Sequence, residues 1–380
     1  MINPNVYPAV SMEYAEAVKK EIEKEGYEVA IRPCLKNNGI SYMGITMREK
    51  EQFSPMFYLE HVLALLKDGN KDISAAFDDF SSGFFAVVSQ NDPSNGSILL
   101  DTIPAASDVG RIIVDNYKRF RENVSSLSPE EANNLNELKE ETRRILSDYD
   151  AMRTHVFPSL INYEWNREYL KNVPHRRFLD LAITYRVLLV TDEEAQEADA
   201  SLSIRITNGS LGNMDNPPTE GDLYETALVN IRRRGYKVNS LLKTIENGMK
   251  KYGIDPGEEI RDCIKNHDAP SITVVTTPLP DFGAYALIDN ELLDSLADKA
   301  GSDLLIIPSS VSEILVVDGT YDPKLYNRSN SGIDRRDLSP TIAWLKEMVQ
   351  TGNVKSLSME DNLSDKAYIF ERGRGIRIAE

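Results

Sequence analysis

At 380 residues, with 41% hydrophobic and 27% charged side chains, the chain has the composition of an ordinary globular protein and material for two or three domains. Its formal charge of −17 argues against nucleic acid as the main partner, because such binding depends on cationic side chains displacing counterions. No complete catalytic, metal or nucleotide signature is present, so the sequence narrows function by exclusion.

Cys34 and Cys263 are the two cysteines, in no C-x-x-C arrangement, which indicates neither a disulfide framework nor a structural zinc site and suits a reducing compartment. Met1-Ile2-Asn3-Pro4-Asn5 lacks the basic region and apolar run of a secretory signal, and no apolar stretch is long enough to span a bilayer. The expectation is a cytoplasmic protein with no membrane partner.

Ser11 to Lys24 reads as an amphipathic helix with Tyr14, Ala15, Val18 and Ile22 on one side and Gly26 as its stop. Glu28 to Leu35 and Ile40 to Met47 are β-type runs joined by Lys36-Asn37-Asn38-Gly39, a hairpin signal because Asn and Gly tolerate positive φ. Ser54-Pro55 opens a helix carrying Leu59, Val62, Leu63 and Leu66, and Ile73 to Val88 continues with helical spacing. Asn91 to Gly96 is loop by composition.

Ser107 to Val124 and Pro129 to Met152 predict a long helical hairpin, with Ser128 and Glu131 at capping-box spacing. Leu135, Leu138, Thr142, Ile145, Tyr149 and Met152 fall at alternating three- and four-residue intervals. That seam packs either on the Val109, Ile112, Ile113 and Phe120 face of the preceding helix or against a second copy in a homodimer.

From Val156 the pattern turns mixed. Phe178 to Val190 and Ser201 to Thr207 are predicted strands around an acidic linker, Asp192 to Asp199. Thr219 caps a helix to Ile231 and Asn239 caps another to Tyr252. Ile272 to Thr277 and Gly283 to Ile288 make a strand pair, and Glu291 to Ala300 a helix. Leu304 to Val317 is two strands buried on both faces about a Pro308-Ser309-Ser310 turn, the expected core of the fold. Ser339-Pro340 starts a helix with Ile342, Trp344, Leu345 and Val349, and Ala367 to Phe370 and Ile376 to Ile378 close the chain as strands. The predicted class is α+β: a helix-rich region over 1–153 with a β-hairpin, then a mixed region over 154–380 built on antiparallel sheet.

His61, His155, His175 and His267 stand at no metal-ligand spacing, and no H-E-x-x-H occurs, so no metal site is assigned. Asp68, Asn70, Asp72 and Asp79 echo a calcium loop, but Ile73 occupies the place where the turn needs glycine. P-loop and dinucleotide fingerprints are missing, G-x-S-x-G is absent, and Ser240-Leu241-Leu242-Lys243 reads as a helix start, so no cofactor is indicated. The basic clusters His175-Arg176-Arg177, Arg232-Arg233-Arg234 and Arg372 to Arg377 read as solvated faces; a nucleic-acid role would need them to merge.

Reactive-group candidates lie at the bend of the core stretch. Ser309 or Ser310 would serve as nucleophile or ligand donor, with Glu313 or His175 as base, if folding brings them together. The alternative is that both serines and Glu313 satisfy backbone groups in a turn. Asp180, Asn37 and Asn38 complete the candidate binding residues.

Lys36-Asn37-Asn38-Gly39, Pro55-Met56-Phe57-Tyr58-Leu59-Glu60, Val173-Pro174-His175 with Phe178-Leu179-Asp180-Leu181-Ala182-Ile183, Ile307-Pro308-Ser309-Ser310 with Glu313, and Leu363-Ser364-Asp365 with Tyr368 follow in order along the chain. Together they resemble a domain-of-unknown-function family of anaerobic Gram-positive bacteria. The resemblance implies a bacterial, intracellular protein and carries over no activity, cofactor or catalytic residue. Ser312 stands where the family pattern has His, and Thr276-Thr277-Pro278 where it has Thr-Asn, which favours a structural role for the Pro-Ser-Ser motif or a diverged copy of it. The leading reading is a non-enzymatic binding or regulatory protein with a protein or small-molecule partner. The alternative is a hydrolase using Ser309 or Ser310 with Glu313 and His175.

Overall fold

A computed structural model describes residues 10–48, 56–67, 104–189, 203–251, 253, 255, 257, 272–278, 282–319 and 361–379. Helix α1 (Met12–Lys24) begins at Ser11, whose hydroxyl accepts the Tyr14 amide, and buries Ala15, Val18 and Ile22. Strands β1 (Val29–Leu35) and β2 (Ser41–Met47) form the predicted hairpin, registered from Val29 opposite Met47 to Leu35 opposite Ser41. Its tip is a single 3-10 turn, Asn37–Gly39, with Asn38 at φ 59° and Gly39 at φ 74°. Both residue types are there because the turn needs left-handed backbone.

The helix expected from Ser54-Pro55 starts later. Those two residues lie outside the described set, Met56–Tyr58 is a strand, β3, on the outer edge of β2, and α2 runs Leu59–Lys67. Phe57 is buried while Met56 and Tyr58 are half-buried, an alternation that suits an open sheet edge better than a helix turn.

The two helices of the predicted hairpin are α3 (Ala106–Ser125) and α4 (Pro129–Ser147), and Ser128 with Glu131 makes the reciprocal capping box. The apolar face of α3 is occupied by α1 rather than by α4. Val109, Ile113, Tyr117 and Phe120 share one core with Ala15, Val18, Ile22, Ile45 and Phe57. Gly110 permits this approach: a Cβ there would stand 2.9 Å from Cβ of Glu21.

Helix α4 stops at Asp148, which turns extended (φ −132°, ψ 122°) and accepts the Asp150 amide to start a separate turn, α5 (Tyr149–Met152). The predicted continuous helix is thus broken by an N-capping side chain. Ile145 and Met152, two members of the heptad seam, are buried in the main core of the chain itself.

That main core lies between two antiparallel sheets. The first comprises β4 (Val156–Asn162), β5 (His175–Phe178), β6 (Leu181–Leu188) and β7 (Ser203–Arg205), with the short helix α6 (Arg167–Leu170) after β4. β6 is central: β4 takes one edge, and β5 and β7 lie end to end along the other. The single strand expected over Phe178 to Val190 is two, because Leu179 adopts φ 57° and turns the chain at Leu179-Asp180. The helix Glu220–Arg234, capped by Thr219 as predicted and with Asp222 completing a reciprocal capping box, buries Leu223, Ala227 and Ile231 in the same core.

The second sheet has six strands in the order β13 (Gly375–Ile378), β12 (Tyr368–Glu371), β10 (Leu304–Ile307), β11 (Ile314–Asp318), β9 (Ile272–Thr276) and β8 (Lys237–Ser240). The predicted core pair β10–β11 is at its centre. Leu304 and Ile306 enter the main core while Leu305, Ile307 and Val317 enter a second cluster on the opposite face, which explains the lack of polar alternation.

Gly283–Ile288, expected as a strand, is a buried 3-10 helix. Both edges of β9 are already taken, by β8 and β11, so no strand position remains there. Asn239 sits inside β8, and Ser240 caps the following helix, Leu241–Lys251, by accepting the Lys243 amide. The expected helix over 73–88, the loop at 91–96, the calcium-like run, the acidic linker at 192–199, Cys263 and the helix over 339–349 fall outside the described residues.

Candidate functional site

The Pro308 turn is held by its own backbone. Ser310 is 7% exposed; its amide donates to the Glu313 carbonyl at 3.2 Å and its hydroxyl accepts the Ser312 amide at 3.1 Å. Ser309 is hydrogen-bonded to the Glu313 carboxyl, whose pKa burial raises despite that bond. Around the turn, the Val311 amide donates to the Asp361 carbonyl, the Ala284 amide to the Val311 carbonyl, and the Thr276 hydroxyl to the Ser312 carbonyl. A Cβ on Gly283 would lie 2.1 Å from the Ser312 oxygen, so glycine is required for this contact.

His175 is occupied elsewhere. It opens β5, its Nδ1–H donates to the Val173 carbonyl at 3.0 Å, and its ring stands 6.1 Å from that of Tyr163. Among the described residues no hydrogen bond joins it to Ser309, Ser310 or Glu313.

What the fold does bring together is a chain of amides, hydroxyls and one carboxylate drawn from the hairpin tip and both larger sheets. At the tip, Asn37 is buried and its Oδ1 accepts the Asn38 amide. The same Asn38 amide donates to Asn166 Oδ1 at 2.8 Å, while Asn166 Nδ2 returns a bond to Asn38 Oδ1 at 3.0 Å. Asn38 Nδ2 reaches the Asn362 carbonyl at 2.8 Å. Asn166 Nδ2 also donates to the carbonyl of Asn162, whose own Nδ2 donates to the Leu363 carbonyl at 3.3 Å. Next to Leu363, Ser364 donates to Asp180 Oδ2 at 2.6 Å, and Tyr368 donates to Asp180 Oδ1 at 2.8 Å.

Asp180 is 8% exposed and Ser364 and Tyr368 are fully buried. Burial first, then the Asp180 charge, pushes the Tyr368 phenol well above its ordinary value and keeps it a donor. Each oxygen of the carboxylate thus receives a hydroxyl, which is how a buried charge is made tolerable.

Three of the predicted site residues, Asn37, Asn38 and Asp180, therefore belong to one network, whereas Ser309, Ser310 and Glu313 form a neighbouring turn and His175 stands apart. Their common boundary is the Asp361–Ser364 segment, which bonds the turn through Asp361 and the hairpin through Asn362. Sequence reasoning missed Asn162 and Asn166 as members, since isolated asparagines beside Trp165 carry no signal of their own. Ser364 and Tyr368 were marked by their motif but not placed in the site. Chemically the network presents hydrogen-bonded amides and a doubly bonded carboxylate, a constellation that fixes geometry, with the buried Asn362 Oδ1 left without a hydrogen-bond partner among the described residues.

No helix among the described residues is long and apolar enough to cross a membrane, and no described group of three or more His, Cys, Asp or Glu could hold a metal ion. No curated protein and no solved structure matches the chain. A family model described as a family of unknown function, DUF5688, matches residues 113–372, more than half of the chain, and the chain belongs to that family.

Proposed function

We propose that this chain is a non-enzymatic binding or regulatory protein of the bacterial cytoplasm, from the anaerobic Gram-positive group that its motifs resemble. The observation that supports the reading most directly is Ser310: its hydroxyl accepts a backbone amide two residues on, and no hydrogen bond links it or Ser309 to His175. A serine nucleophile needs a base within hydrogen-bond reach, and among the described residues the bond His175 makes is to the Val173 carbonyl, just before its strand, and not to either serine. The net charge of −17 supports a partner that is a protein or small molecule more than a nucleic acid.

Self-association belongs to the same proposal. With Ile145 and Met152 buried at home, α4 offers a second copy its half-buried Leu138 and Thr142. Light scattering on the full chain tests this, and Leu138→Asp is the appropriate variant.

The test of the whole reading is a thermal-shift screen against metabolites and peptides, run beside a hydrolase substrate panel, on wild type and Ser310→Ala. A ligand that binds the native state raises the melting temperature by mass action. The binding reading expects a stabilising ligand and no turnover that depends on Ser310. Hydrolysis abolished by Ser310→Ala in a folded variant would refute it.

A further inference from the structure

Antiparallel partners share a face of the sheet, so the pairing of β6 fixes which side chains stand together. Arg205 lies opposite Arg186, His175 opposite Thr184 and Arg177 opposite Ala182. Since 182, 184 and 186 alternate along β6, Arg177, His175 and Arg205 stand on one face and one edge of the sheet. They form a row with a repeat of roughly 6.8 Å, the two-residue rise of a strand.

Two tyrosines underlie the row: the Arg177 guanidinium lies 4.7 Å from the Tyr163 ring centre, which His175 also abuts, and Arg205 lies 4.9 Å from that of Tyr169. Among the described residues neither Arg177 nor Arg205 has an ion-pair partner. Among the described residues, the carboxylates of Glu220, Glu164 and Glu168 are engaged by Arg176 and Tyr185, by Arg167 and by Lys171 respectively. Arg205 also faces Arg186 directly across the ladder, and the Arg186 guanidinium is itself held by the Ser203 hydroxyl and carbonyl.

The same edge offers backbone. β5 is terminal in its sheet, pairing with β6 alone among the described residues. Two arginines and a histidine at the repeat of a strand beside a strand edge match one kind of ligand. We propose that this edge binds an extended acidic peptide segment of a partner protein by strand addition, with carboxylates at every second residue meeting Arg177, His175 and Arg205.

A single-stranded nucleic acid fits less well, because base binding requires open aromatic faces and Tyr163 is flanked by Arg177 and His175. The proposal rests on the binding-protein reading and gives its partner a chemistry.

The experiment is fluorescence anisotropy on the full chain with three labelled hexapeptides: alternating Glu-Val-Glu-Val-Glu-Val, block Glu-Glu-Glu-Val-Val-Val, and the alternating peptide N-methylated at every second amide. The alternating peptide should bind at least about fivefold more tightly than the block peptide, since only its carboxylates match the two-residue repeat. N-methylation on the pairing edge should remove binding, because it removes the donors that strand addition uses. Arg177→Gln with Arg205→Gln should weaken binding about tenfold or more by deleting both arginine charges of the row. Arg177 is exposed and Arg205 half-buried, and an unchanged melting temperature confirms that the double variant is folded. Equal affinity for alternating and block peptides, indifference to N-methylation, or full binding by the double variant would overturn the assignment. So would tighter binding of oligothymidylate at the same arginines. A peptide that fails to bind overturns this assignment alone, since the Ser310→Ala turnover comparison decides the broader reading separately.

Discussion

Asp180 and Ser364 are separated by 184 positions in the chain and by 2.6 Å in the fold, where the β5–β6 turn of one sheet meets the segment leading into β12 of the other. Tyr368 supplies the second hydroxyl to the same carboxylate, so three buried polar groups close on themselves with no water required. Such a network is costly when only partly satisfied.

Asp180→Asn should therefore destabilise the chain by about 2–3 kcal/mol, because the amide nitrogen is a donor facing a donor. Tyr368→Phe should cost about 1–3 kcal/mol by leaving one carboxylate oxygen buried without a partner. Urea unfolding of both single variants and the double should give a coupling of about 1 kcal/mol or more. Strict additivity would show that the two residues do not act as a unit.

At the hairpin tip, strain and bonding separate by substitution. Asn38→Gly keeps the φ of 59° accessible but loses both side-chain bonds, to Asn166 and Asn362. Asn38→Ala loses the same bonds and adds a left-handed penalty of roughly 1–2 kcal/mol. The alanine variant should be the less stable by that margin in chemical denaturation, and equal stabilities would contradict the assigned turn geometry.

His61 lies between the rings of Tyr42 and Tyr58, and burial, aided by the Lys36 charge, lowers its pKa to about 4. A histidine depressed in the fold binds its proton only on unfolding, so stability is lost as pH falls from 6.5 toward the folded value. The loss from this group is on the order of 3 kcal/mol across that window. The difference between wild type and His61→Phe in urea unfolding should grow in the variant's favour as pH drops from 7 to 4; a constant difference would refute the shift.

Glu313 has the opposite sense. Its raised pKa means that ionisation is disfavoured in the fold, so its contribution is best at low pH and is lost as pH rises through the folded value. Glu313→Gln keeps an acceptor for Ser309 and removes the charge, so the variant should gain stability over wild type at pH 7. The gain should vanish below pH 4, as a pair of melting curves would show.

Much of the architecture was legible because it is written in local chemistry. The Asn37–Gly39 turn, the Ser128 capping box and the Thr219 cap each rest on residues within a few positions of one another. The β10–β11 core could be read from its unbroken apolar runs, which follow from burial on both faces. Where the reading failed, a long-range competitor had won. Met56–Tyr58 found an open edge on β2, Gly283–Ile288 found none on β9, and Leu179 took a left-handed conformation that a β-type sequence does not advertise.

The site was partly legible for the same reason. Asn38 and Asp180 stood in recognisable motifs, but their partners, Asn166 in one case and Ser364 in the other, are joined to them only by the fold. Serine at a proline-terminated strand end is equally a turn former and a nucleophile in sequence. Only the position of the Ser312 amide against the Ser310 hydroxyl favours the first.

The bond from Asn38 to Asn362 spans 324 positions, and that distance orders events at the ribosome. The core that joins α1, the hairpin and α3 uses no described residue beyond Val124, so its described members are all present long before Asn362 is made. The hairpin tip, by contrast, must await the far more distant Asn362 before the carbonyl that receives Asn38 exists. Until residue 362 is translated a nascent chain therefore carries Asn38 without that acceptor, and any truncation before residue 362 leaves the hairpin without that tether.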